Sequence, residues 1–143
     1  MAEVTFEFEA GSDGTITFPA TSMTLGSGGG SSRTGKNTMT DGATVTLDWS
    51  KPLNVVTLGG NRTLAISGTP VAGESCKLKI IQDATGGRTL TWPTSGVTIN
   101  WPLSDEPILT TTAARSDIIE LTCFDDTVGA LVFDVTYMMF NIY

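Results

Sequence analysis

The chain reads as all-β: an antiparallel β-sandwich, jelly-roll-like fold or compact barrel, with an N-terminal β-hairpin arm. Three observations predict this. Apolar and polar residues alternate with period two through most of the chain, the spacing that puts successive side chains on opposite faces of a strand. Gly, Pro, Asn and Asp interrupt the alternation at short, even intervals, as turns between short strands do. No window repeats with the period of a helix.

Val4, Phe6 and Phe8 alternate with Glu3, Thr5, Glu7 and Glu9. Gly11–Gly14 supplies turn chemistry, and Thr15–Phe18 answers as the returning strand. Two strands alone are marginal in water, so this arm, residues 1–25, is expected to lie on something. Residues 26–42 form a linker or exposed loop, because the run from Gly26 to Asn37 holds five glycines and three serines and cannot pack. The sandwich body takes residues 43–143. Its expected strands are Ala43–Trp49, Leu53–Leu58, Arg62–Ser67, Ser75–Gln82, Arg88–Trp92, Val97–Trp101, Ser116–Phe124 and Ala130–Met139. The last begins in alternation and ends apolar on both faces, which predicts burial on both. A terminal strand usually sits at a sheet edge, so its second face is expected to meet another copy of the chain. Phe133, Tyr137, Phe140 and Ile142 are the candidate oligomer contacts.

Composition excludes several function classes. The 143 residues suffice for one domain with a real core, and 40% are hydrophobic. Only 16% are charged, low for a soluble monomer, which again suggests surface covered by other subunits. The net charge is −7 and the cations are scattered singly, so neither nucleic acid nor an anionic membrane is an expected partner. The start of the chain lacks the basic and apolar blocks of a signal peptide, so synthesis is expected in a host cytoplasm. With no histidine, a Ser-His-Asp or Cys-His centre cannot be built. No cofactor and no metal site is expected, and Cys76 and Cys123 read as buried reduced thiols, a cross-strand disulfide being the other reading.

The remaining motifs have plainer readings. Gly30–Lys36 imitates a P-loop, but Asn37 stands where magnesium needs a hydroxyl, and a strand follows instead of a helix. Asp83, Asp105-Glu106 and Asp125-Asp126 sit beside turn residues, where carboxylates cap local backbone. Asn61 fits a glycosylation sequon and also a turn position tolerant of positive φ. Trp49 is in phase with buried residues. Trp92 and Trp101 each precede a proline, and could offer exposed-loop contacts to a partner or a sugar ring.

Four segments carry a resemblance: Ala43–Asp48, Gly60-Asn61-Arg62-Thr63-Leu64, the run Gln82–Pro93 (QDATGGRTLTWP), and Leu109–Ala113. Together they resemble, over roughly residues 43–124, an all-β module that recurs in virion proteins of tailed bacteriophages. The resemblance implies an accessory piece of tail fibres, head fibres or capsid decorations, without catalytic residues. The expectation drawn from it is a non-enzymatic capsid decoration on the virion exterior, a homotrimer that binds and stabilises the assembled shell. Its partner would be the major capsid protein, with Val4, Phe6, Phe8 and Phe18 of the arm docking on it. The alternative is a tail-fibre or receptor-binding component whose tryptophan loops contact host surface glycans.

Overall fold

A computed structural model describes residues 33–143. The chain divides into two units between Ser32 and Arg33, and the described residues form the second. The hairpin arm, with Val4, Phe6, Phe8 and Phe18, lies outside the described residues. The strands are β1 (Lys36–Thr38), β2 (Thr44–Asp48), β3 (Leu53–Leu58), β4 (Arg62–Ser67), β5 (Ser75–Gln82), β6 (Leu90–Thr91), β7 (Val97–Asn100), β8 (Ser116–Asp125) and β9 (Leu131–Ile142).

The all-β expectation holds, but the pairing direction differs from an antiparallel sandwich. Strands β1, β3 and β5 sit side by side in a six-stranded sheet ordered β1-β3-β5-β8-β9-β7, while β2, β4 and β6 form a three-stranded sheet. Within both sets the neighbours run parallel, for example Leu53 beside Lys77 and Thr44 beside Thr63. From Lys36 to Thr91 the chain is therefore a short β-solenoid of three coils, each placing one strand in each sheet. Parallel neighbours need a long crossover; here the crossover is the strand of the opposite sheet. Period-two alternation reveals which side chains point inward, but it is the same for parallel and antiparallel partners. The Gly59–Asn61 turn, which looks like a hairpin signal, carries the chain from one sheet to the other. Only β8 against β5 and β9 against β8 are antiparallel, and β7 joins β9 in parallel.

Val45 and Leu47 of β2, Val56 and Leu58 of β3, Leu64 of β4, Leu78 and Ile80 of β5, Ile119 and Leu121 of β8 and Phe133 of β9 fill one core. Each such side chain contributes about 1.5–3 kcal/mol by leaving water. Asn54 is buried among them yet fully paired. Its Oδ1 accepts from Asn37 Nδ2 and the Asp48 N–H, both at 2.8 Å, and its Nδ2 donates to the Asp48 carbonyl at 3.0 Å. The body starts earlier than residue 43. Met39 is buried, Arg33 donates to the carbonyls of Trp49 and Ser75, and its guanidinium lies 5.1 Å over the Trp49 ring. Residues 33–42 thus belong to the first coil and not to a free linker. Lys36 opens β1, so the P-loop-like string leads into a strand.

Candidate interaction surfaces

The residues that carry the resemblance build turns. Asp83 Oδ1 accepts from the N–H groups of Thr85 and Gly86 at 2.9 and 2.8 Å, and its Oδ2 holds Arg88 Nη2 at 2.8 Å. The side-chain amide of Gln82 closes the same loop by donating to the Arg88 carbonyl and accepting from the Arg88 N–H, at 2.9 and 2.8 Å. Gly87 N–H then donates to the carbonyl of Thr111 at 2.9 Å, which brings the Leu109–Ala113 segment onto the loop. Asn61 Oδ1 accepts from Thr89 N–H at 3.1 Å, so Asn61 is a turn residue that also ties two coils together. Arg62 forks onto Asp41 at 2.7 and 2.6 Å. Gly59 leaves the room for that pair, since a Cβ there would stand 2.7 Å from Asp41 Oδ2. The Arg88 hydrogen bond holds the Asp83 carboxyl down at about 2, and Arg62 lowers that of Asp41 in the same way.

Asp125 caps a turn as well. Asp125 accepts from the Thr127 N–H and hydroxyl at 2.9 and 2.6 Å. Among the described residues no three Cys, Asp or Glu side chains converge as a metal site. Cys76 and Cys123 are both free and buried, and burial pushes the Cys76 thiol up to about 11.

Two expected contact sites are corrected. Trp92 is only 6% exposed and belongs to the core, with Trp101 meeting it edge-on at 4.8 Å and half-buried. A ring inside the core cannot receive a partner, so Trp92 is packing, and Trp101 leans on it from the rim. Phe133 is fully buried, tilted against Trp49 at 4.9 Å, and cannot be an oligomer contact. The other three candidates lie toward the far end of β9. Tyr137 and Phe140 are 42% and 40% exposed, and Ile142 is half-buried.

The reason for the split is register. Irregularities between Ser116 and Ile118, Glu120 and Leu121, and Cys123 and Asp125 shift β9 against β8. Bulges of this kind move side chains between faces. Phe133 and Val135 turn inward, and then Met138 does, leaving Tyr137 and Met139 outside. Tyr137, Ile118 and Thr136 border an open depression of about 420 Å3 whose rim is the Lys77–Glu120 ion pair at 3.5 Å. Alternation alone misses Met139, because strict period two carries the inward phase of Phe133 and Val135 on to it without the bulges. A second depression, of about 380 Å3, lies beside β1 and β2.

Residues 38–124 match the family model described as "Putative phage tail fibre C-terminal domain". The chain belongs to this family. No curated protein and no solved structure matches it. The tail-fibre family match spans β2 to β7 whole and β8 up to Phe124, and so takes in the Asp83–Arg88 loop and the Asp41–Arg62 pair. It ends at Phe124, so β9 and its exposed aromatic side chains lie beyond the matched stretch. The chain is thus a phage virion structural protein, all-β in its described residues.

Proposed function

We propose that this chain serves in a phage tail fibre, where it self-associates and contacts the host surface by binding, without catalysis. The family match over residues 38–124 carries this reading, and it favours the tail-fibre alternative over capsid decoration. Copy number tests it. Quantitative mass spectrometry of purified virions should find a handful of copies per particle. A ratio approaching that of the major capsid protein would restore the decoration reading and overturn this one.

The outer face of β8 and β9 is the self-association surface. Tyr137 and Met139 are exposed there beside Ile118, Phe140 follows them exposed on the same strand, and exposed apolar side chains gathered in this way mark interaction sites. The Lys77–Glu120 pair on its rim offers both signs of charge to a second copy. Replacing Tyr137 and Phe140 together with aspartate should leave a monomer of 15.0 kDa by light scattering, with the homotrimer as the expected wild-type state. An unchanged oligomer mass would remove the surface from the proposal.

A further inference from the structure

The second depression has a chemistry that the self-association surface lacks. It is walled by Asn37, Thr38, Thr40, Asp41, Thr44 and Thr46, with the mostly buried Met39 also lining it. Four hydroxyls and an amide therefore line about 380 Å3 of open space. A threonine hydroxyl both donates and accepts, and the Asn37 amide oxygen accepts while its Nδ2 donates to Asn54 Oδ1. The one carboxylate, Asp41, is fixed by the fork to Arg62, which lowers its pKa and keeps it an ionised acceptor.

The hydroxyl row continues beyond the trough. Register sets Thr44 beside Thr63 and Thr63 beside Thr91, one on each coil, with a strand spacing of about 4.8 Å. All three are exposed. The rest of that outer face, Ala65 and Ser67 included, is uncharged except for Asp48, whose carboxylate caps the Ser50 N–H at 2.9 Å. Solvated strand faces ordinarily mix in lysine and glutamate, as the opposite sheet does with Lys77, Lys79 and Glu120.

Ligand classes separate on these facts. A phosphate or an acidic sugar would meet Asp41 with no lysine or arginine lining the trough, in a chain of net charge −7. A protein partner would be expected to find aromatic or arginine anchors, and the lining has none. A neutral sugar finds paired donors and acceptors for its hydroxyls, and threonine methyls and Met39 for its C–H faces. We propose that the trough between β1 and β2 binds a neutral sugar segment of a host surface polysaccharide. This deepens the tail-fibre reading and rests on it for the source of the glycan.

The test uses the full chain on an array of neutral and acidic bacterial surface oligosaccharides, followed by calorimetry with the strongest neutral ligand. Thr44→Val with Thr46→Val keeps shape and β-propensity while removing two hydroxyls. Affinity should fall at least tenfold with the melting temperature unchanged. Thr40→Trp, in the exposed segment between β1 and β2, should block the trough without touching a strand. Thr98→Val, exposed on β7 of the other sheet, should bind as wild type. Equal affinity in both trough variants, binding of acidic glycans alone, or no glycan binding at all would overturn the inference. Copy number decides the tail-fibre reading separately. A tail-located chain that ignores neutral glycans sinks only the trough, whereas a capsid-located chain that binds them through Thr44 and Thr46 sinks only the tail assignment.

Discussion

At the scale of single residues, the Asp83–Arg88 loop shows how a recognisable sequence string can be wholly structural. Gly86 has φ of +74°, and a Cβ there would fall on the Thr111 carbonyl oxygen and 2.8 Å from the Ala113 nitrogen. Both neighbours are backbone and cannot step aside. Gly86→Ala should therefore lower stability by about 1–3 kcal/mol, read as a lowered midpoint in thermal or urea unfolding. Asp83 gives a pH dependence of definite sign. Its folded pKa, about 2, lies below the ordinary 3.8, so its stabilisation is present above about pH 4 and is lost as pH falls toward 2. Asp41 is shifted in the same direction by Arg62. The melting temperature should drop across that window, and Asp83→Asn should shrink the drop. A variant with the same acid slope as wild type would show that other carboxylates govern it. Asp83 was legible as a turn residue because aspartate beside Gly-Gly rarely has another task. The bond that its loop makes to the Leu109–Ala113 segment, Gly87 N–H to the Thr111 carbonyl, was not, since nothing local encodes a contact across more than twenty residues.

At the scale of elements, alternation located strands well and pairing poorly. Leu53–Leu58, Arg62–Ser67 and Ser75–Gln82 stand in the structure with the bounds their pattern suggests. β1 escaped because Lys36-Asn37-Thr38 has no apolar alternation and sits at the end of a glycine-serine run; it exists because β3 offers it an edge. Strand β9 was found but its faces were mixed, because bulges depend on the partner strand and leave no local trace. Two substitutions on β9 separate the faces. Phe133→Ala should cost about 3–5 kcal/mol by emptying the core beside Trp49. Phe140→Ala should change the stability of an isolated subunit by no more than about 0.5 kcal/mol and act on association instead. Comparable losses in both, measured by denaturant unfolding at low protein concentration, would contradict this division of β9. The trough was invisible to sequence reading for a similar reason. Asn37 to Thr46 looked like loop and strand start, and only the coil brings their side chains around one space.

At the scale of the whole molecule, the two cysteines report on the integrity of the core. Both are buried and free, and burial raises both thiols, Cys76 to about 11. Neither should react with a thiol reagent at neutral pH in the folded chain, and two equivalents should react after denaturation. Fast labelling of either one without denaturant would mean that β5 or β8 opens locally. The same architecture gives the coil stack a direction. On one side the six-stranded sheet runs on into the antiparallel β8 and β9, and the three-stranded sheet ends in the two-residue β6, so the parallel winding stops there. On the other side β1 and β2 keep the parallel geometry of the coils. In polymer terms the coils are the repeating unit and β8–β9 a chain terminator. An inserted copy of one coil would be accommodated between β1–β2 and β3–β4, lengthening the module by about one strand spacing of 4.8 Å while leaving the terminator in place.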